Sequence, residues 1–170
     1  MSDRELRRHL IELLDGGHAH IRFADVVRDF PLEKAGIRPA GSPHSAWELL
    51  EHMRIAQRDI ALFSGIREEE PPAVGNRKHP KGYVELAWPD DYWPPSPDLP
   101  GPERWDASVA EIEADTAEFK KLIQDGKRDL LQPFPWGEGQ TLLREALLIA
   151  DHNAYHLGQL LLVRRLVEAG

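Results

Sequence analysis

Apolar residues recur at helical spacing in four separate stretches of this chain. Because residues three and four positions apart share one side of a helix, each stretch predicts a helix with a buried face. The first face comprises Leu6, Leu10, Leu13, Gly17, His20, Ala24 and Val27. The second comprises Leu49, Met53, Ala56, Ile60 and Phe63. The third comprises Trp105, Val109, Ile112, Thr116, Phe119, Leu122 and Ile123, and the fourth stretch, residues 141–167, is apolar on almost every side.

The first predicted helix contains an interruption. Ser2 or Asp3 can accept bonds from the free NH groups at the start of the helix. Gly16 and Gly17 stand side by side within it, and two glycines cost a helix about 2 kcal/mol relative to alanine. We therefore expect a kink or a short break at this point, followed by a second helical piece that ends near Asp29.

The other three helices carry residues that favour their ends. Ser45 and Glu48 have the spacing of a capping box, which predicts the start of the second helix. Pro102 suits the first turn of the third helix, which we expect to end near Gly126. Thr141 is a favourable N-cap for the fourth helix.

These elements predict an all-α fold, a four-helix bundle that forms a single domain over residues 1–170. The second and third helices are joined by a long connection, residues 64–101, that is rich in proline and aromatic residues. A connection of this length either covers a functional site or only covers an exposed edge of the core. Its aromatic side chains favour an ordered segment and leave both roles open.

The fourth helix has two apolar sides, and this predicts a partner for one of them. One side carries Leu143, Ala146, Leu147, Ala150, Ala154, Leu157 and Leu161. The other carries Leu142, Ile149, Leu160, Val163 and Val167. Since a bundle of four helices buries only one side of each helix, we expect a homodimer formed through the fourth helix, with burial under the long connection as the alternative.

Composition narrows the classes of function. The chain of 170 residues has a formal net charge of −8, which argues against nucleic acid or an anionic membrane as a partner. It has no cysteine, so a metal site would have to use His, Asp, Glu or water. No segment is long and apolar enough for a membrane span or a signal peptide, and we expect a cytoplasmic protein.

Three histidines are candidates for a metal site. His152 and His156 are four residues apart on the fourth helix, so both rings can reach one ion. His52 lies at the edge of the apolar face of the second helix, where a hydrogen-bonded core histidine is the alternative. Three protein ligands with one open position are typical of a catalytic rather than a structural zinc site. Asn153 stands where a helical zinc protease has its glutamate, which excludes that class.

The segments HSAWELLEHMRIAQRDI and DHNAYHLGQLLLVRRL resemble the DinB-like family, also called YfiT-like. The family pattern matches His52, His152, His156, Gly158 and Gln159. The resemblance implies an up-down-down-up bundle that is commonly dimeric. It also implies a divalent metal, zinc or nickel, held by the three histidines and water, and an activity that uses a low-molecular-weight thiol.

The expected function is that of a metal-dependent transferase or hydrolase that acts on a small molecule by thiol transfer or hydrolysis. Because the chain has no cysteine, the nucleophile must be an external thiol or water. A non-catalytic, stress-associated metal-binding dimer is the alternative, and a binding module without metal is a third reading. Catalytic residues are not assigned. Candidates for the pocket are Gln159, one turn after His156, Glu48, one turn before His52, and His20 on the first helix.

Overall fold

A computed structural model describes residues 2–67, 79–80 and 82–169, and within these ranges the chain is helical and contains no β-strand. Its helices are α1 (Asp3–Asp15), α2 (Phe23–Val27), α3 (Ala46–Phe63), α4 (Pro102–Gln124) and α5 (Leu142–Ala169). Short 3-10 turns cover Leu32–Lys34 and Asp90–Tyr92. The prediction of an all-α fold is confirmed. No helix in the described part of the chain is long and apolar enough to cross a membrane.

The start of α3 is fixed by the predicted capping box. The hydroxyl of Ser45 accepts the NH of Glu48 at 3.2 Å, and the NH of Ser45 donates to the Glu48 carboxylate at 2.8 Å. The predicted break after α1 is also present. Gly16 and Gly17 have φ angles of 64° and 81°, a left-handed conformation that cannot continue a helix. The second helical piece is shorter than expected, since α2 spans only five residues and ends before Asp29.

The four longer helices share a core. Helix α3 packs against both α4 and α5, and α1 packs against the same two helices. Buried apolar side chains form two clusters, one that includes Trp47, Met53 and Leu160, and one that includes Phe119 and Leu142. The up-down-down-up order of the helices stays a prediction from the family resemblance.

The polar side of α3 is an interface rather than a solvated face. Helical spacing places Glu51 opposite the apolar face and predicts that it is exposed. In the structure Glu51 is only 6 % exposed, and it accepts bonds from Arg54 at 2.8 Å, from Arg104 at 2.7 Å and from Ser108 at 2.8 Å. Burial raises the pKa of Glu51, but these bonds outweigh burial and the pKa is lowered. Helix α4 supplies matching charges, so an ionic contact is buried between the helices.

Helix α5 is buried along one side, and five of its large apolar side chains are exposed. Every residue on one of the two predicted apolar sides is buried, namely Leu142, Ile149, Leu160, Val163 and Val167. Four of the exposed apolar residues follow one another at intervals of seven or four positions. We call them the α5 stripe: Leu148, Tyr155, Leu162 and Leu166. Exposed fractions of 36 % to 64 % are high for side chains of this kind.

Candidate metal centre

Three histidines from two helices meet at one point in the structure. His152 and His156 project from successive turns of α5, and His52 approaches from α3. The Nε2 atoms of His152 and His52 are 3.1 Å apart, and one ring nitrogen from each of the three residues lies within 4.8 Å of the others. Two nitrogens bound to a tetrahedral zinc ion at about 2.0–2.1 Å would lie about 3.3 Å apart. The three side chains are therefore positioned to bind a metal ion.

Hydrogen bonds at Nδ1 set the tautomers of two of these rings. Nδ1 of His52 is 2.7 Å from the backbone carbonyl of Tyr92, and Nδ1 of His156 is 2.7 Å from Oε1 of Gln159. Both partners are acceptors, so each Nδ1 must carry the proton. The Nε2 atoms are then unprotonated, which is the state that a metal ion requires.

Burial favours the neutral form of all three rings. Burial lowers the pKa of His52 and of His152. Burial, together with the proximity of His152 and His52, lowers the pKa of His156 to about 4. Among the described residues no carboxylate joins this group. Because neutral imidazoles add no negative charge, a bound ion would keep its full positive charge at the site.

Part of the long connection covers the centre. The indole of Trp93 lies between two imidazoles, parallel to His52 at 3.9 Å and to His44 at 4.0 Å between ring centroids. Tyr92 donates its phenol OH to Asp59 of α3 at 2.7 Å, and this bond fixes the backbone carbonyl that holds His52. Residues 92 and 93 thus act as an ordered cover over one ligand. Residues 68–78 and 81 of the same connection lie outside the described part.

An apolar cavity of about 320 Å³ lies beside the centre, between residues 40–44 and α5. Its walls are formed by Ala40, Gly41, Ser42, Pro43, His44, Leu49, Gln159, Leu162, Val163 and Leu166. One of these residues, Gln159, also bonds His156 of the centre, and His44 stacks on Trp93, which covers His52. The cavity therefore combines a mainly apolar wall with a few polar groups, as ligand pockets commonly do, and Gln159 connects it to the histidines.

The three predicted pocket residues have different positions. Gln159 lines the cavity and bonds His156. Glu48 is 5 % exposed, and its carboxylate is used by the capping box and by Arg38. His20 is exposed in the connector between α1 and α2 and is not one of the three clustered histidines. It lines a second cavity, of about 280 Å³, because the helix breaks before it.

Sequence reasoning did not find the role of His44 or of Gln57. His44 had no helical position to mark it, since it stands one residue before the N-cap of α3. Gln57 is 1 % exposed and accepts a bond from Asn153 at 2.6 Å. Its place one turn after Met53 was the available signal, because an amide on the apolar side of a helix needs a buried partner.

Comparison with known proteins adds one match. A sequence model described as the DinB superfamily matches residues 18–160, a range that contains all three clustered histidines. No curated protein matches the chain, and no solved structure does.

Proposed function

Because the chain belongs to the DinB superfamily, we propose that it is a metal-dependent enzyme that acts on a small molecule by thiol transfer or hydrolysis. The observation that carries the proposal is the convergence of three neutral histidines, His52, His152 and His156, with no carboxylate among them. A set of three nitrogens leaves a fourth position open in a tetrahedral site. Zinc or nickel is the ion that we propose for this donor set.

The residues around the three histidines fix the protonation of the ring nitrogens and limit access to them. Tyr92 and Gln159 keep Nε2 of His52 and His156 unprotonated, and Trp93 shields one face of His52. A divalent ion, when bound, supplies a Lewis acid that lowers the pKa of a thiol or of water. The chain has no cysteine, so a thiol nucleophile must come from a separate small molecule.

The substrate that fits is a small molecule with an apolar part. The cavity beside the centre has a mainly apolar wall, and its polar lining side chains are Ser42, His44 and Gln159, the last of which bonds His156. An apolar group would lie against Leu162 and Val163, which would direct the reacting end of the molecule toward the histidines. This arrangement supports catalysis on a bound small molecule rather than on a macromolecule.

Cobalt substitution tests the proposal. We expect the protein, stripped with a chelator and reloaded, to bind one equivalent of Co²⁺, and we expect azide to change the visible spectrum of the cobalt site because one position is open. Failure to take up one equivalent would contradict the metal site. The alternative function, a non-catalytic and stress-associated dimer, is favoured by the placement of the ligands on two helices, which a metal would brace. It predicts stoichiometric cobalt whose spectrum azide does not alter.

We also propose that the protein is a homodimer whose interface is the α5 stripe. Leu148, Tyr155 and Leu162 are seven residues apart, the spacing at which two helices pack along a common seam. The same surface on a second copy is self-complementary about a twofold axis. Leu162 and Leu166 also line the cavity, so the second copy would close it.

A charge within the stripe tests this interface. We expect Leu162→Glu to convert the dimer to a monomer, because pairing would bury two unpaired carboxylates. Light scattering coupled to gel filtration gives the mass. The matched control is Leu131→Glu, which alters a leucine of 64 % exposure outside the stripe and should leave the mass unchanged. A monomeric wild type, or a dimeric Leu162→Glu variant, would exclude the interface.

A further inference from the structure

A chain of side-chain amides runs from α4 to the metal centre, and its direction is fixed at one end. Nε2 of Gln57 donates to the backbone carbonyl of Ile112 at 2.7 Å. A carbonyl can only accept, so the amide of Gln57 must present its NH₂ group to Ile112 and its oxygen to the other side. That oxygen accepts Nδ2 of Asn153 at 2.6 Å. The oxygen of Asn153, and not its NH₂ group, is therefore the end of the chain.

The side-chain oxygen of Asn153 and one ring nitrogen of His152 both lack a normal hydrogen bond. Oδ1 of Asn153 and Nδ1 of His152 are both buried, and neither forms a hydrogen bond of normal geometry, although the side chain of Asn153 is close enough to His152 to interact with it. His152 differs in this respect from the other two clustered histidines, whose Nδ1 atoms bond Tyr92 and Gln159. Buried polar atoms without partners are uncommon, and two on adjacent residues suggest a bond that forms in another state of the site.

The tautomer of His152 defines that state. His52 carries its proton on Nδ1, so its Nε2 is an acceptor, and without a metal a hydrogen bond across the 3.1 Å contact between the two Nε2 atoms would place a proton on Nε2 of His152. In that tautomer Nδ1 of His152 and Oδ1 of Asn153 are both acceptors, and the two cannot bond each other. A metal ion at Nε2 would displace the proton to Nδ1, where an acceptor is then needed.

We propose that Asn153 is a positioning residue for the metal centre, its Oδ1 atom accepting the Nδ1 proton of His152 when a metal occupies Nε2. The proposal rests on the proposed function, since it requires metal binding by His152. The amide chain from Ile112 through Gln57 holds Oδ1 in the accepting orientation in advance. Asn153, which excludes the protease motif in the sequence, thus completes a set of three acceptors, one for each histidine.

Two substitutions of Asn153 test whether this residue positions His152 or only braces α5 against Gln57. Asn153→Leu removes the acceptor and also the NH₂ group that bonds Gln57. Asn153→Asp removes that NH₂ group equally but keeps an acceptor next to His152. If Asn153 only braces α5 against Gln57, the two variants should lose metal affinity alike. If Asn153 positions His152, only the leucine variant should lose it.

The measurements are the Co²⁺ dissociation constant and the proton spectrum of the zinc-loaded protein. We expect Asn153→Leu to bind Co²⁺ about 10- to 100-fold more weakly than wild type, the usual effect of removing such a partner, and Asn153→Asp to bind it about as well as wild type. The Nδ1 proton of His152 should show the downfield shift of a hydrogen-bonded proton in wild type and in Asn153→Asp, and should lose it in Asn153→Leu.

The outcomes distinguish the two proposals. A wild type that binds no Co²⁺ overturns the metal function, and this inference with it. A wild type that binds Co²⁺ while both variants lose affinity equally overturns the inference alone. Wild-type affinity in Asn153→Leu, with the downfield proton retained, also overturns it. Should Asn153→Leu not fold, Asn153→Asp decides, because a loss of affinity or of the downfield proton in that variant contradicts an acceptor role.

Discussion

Replacing His156 with alanine is expected to weaken the binding of zinc or nickel by roughly 10²–10³-fold. Structural zinc sites have binding free energies of about 10–16 kcal/mol over four ligands, or about 3–4 kcal/mol for each ligand. The structure brings a ring nitrogen from each of three histidines together, so the loss of one leaves two nitrogens for a bound ion. Metal analysis after dialysis against a weak chelator, followed by competition with a chromophoric chelator, measures the change.

His44 provides the control for this experiment. It lies on the other side of Trp93 from His52 and stacks on the same indole, but it is not one of the three clustered histidines. We expect His44→Ala to keep one equivalent of metal. Equal metal content in wild type and His156→Ala, or loss of metal in His44→Ala alone, would show that the ligand set is wrong. Zinc added below the dissociation constant of the variant should also raise the melting temperature of wild type and not that of His156→Ala, because only a bound ligand stabilises the folded state.

The metal centre could be predicted where it depends on helical periodicity. The spacing of His152 and His156 places both rings on one side of any helix, and the apolar pattern around His52 turns that ring inward. The start of α3 and the break at Gly16 are local as well, because capping boxes and adjacent glycines act within a few residues. These features are present in the structure because neighbouring residues determine them.

The cover of the centre could not be predicted, because its path is not periodic. The contact between His52 and Tyr92 joins residues that are 40 positions apart through a connection without repeating pattern. The aromatic content indicated an ordered segment but not which ring reaches a histidine. The chain from Ile112 through Gln57 to Asn153 involves three helices, so it depends on their relative rotation as well as on residue type.

The ionic contact between α3 and α4 could not be predicted from the sequence either, and it affects the stability of the fold. Glu51 and Arg54 are charged residues on the side of α3 that periodicity assigns to solvent. Which charged side faces another helix depends on the packing of the bundle, and the pattern along one helix does not contain that information. In the structure α4 places Arg104 and Ser108 against Glu51, so a residue that appears exposed in the sequence is buried.

Replacing Glu51 with alanine is accordingly expected to lower the free energy of unfolding by about 3–5 kcal/mol, as is typical when one partner of a buried ion pair is removed. The variant leaves Arg54, with 17 % of its side chain exposed, without its nearest carboxylate, and it leaves the buried hydroxyl of Ser108 without an acceptor. Urea unfolding followed by circular dichroism measures the change.

The control for Glu51 is an exposed carboxylate on α4. Glu118 is exposed, and Glu118→Ala is expected to change the free energy of unfolding by no more than about 0.5 kcal/mol, as for most surface substitutions. A second variant, Glu51→Gln, keeps the shape and an acceptor for Ser108 but removes the charge. If the charge of Glu51 is what the two arginines require, Glu51→Gln will be destabilised nearly as much as Glu51→Ala. A loss below about 1 kcal/mol in Glu51→Ala would instead mean that Arg54 and Arg104 are satisfied by Glu111, which also contacts both.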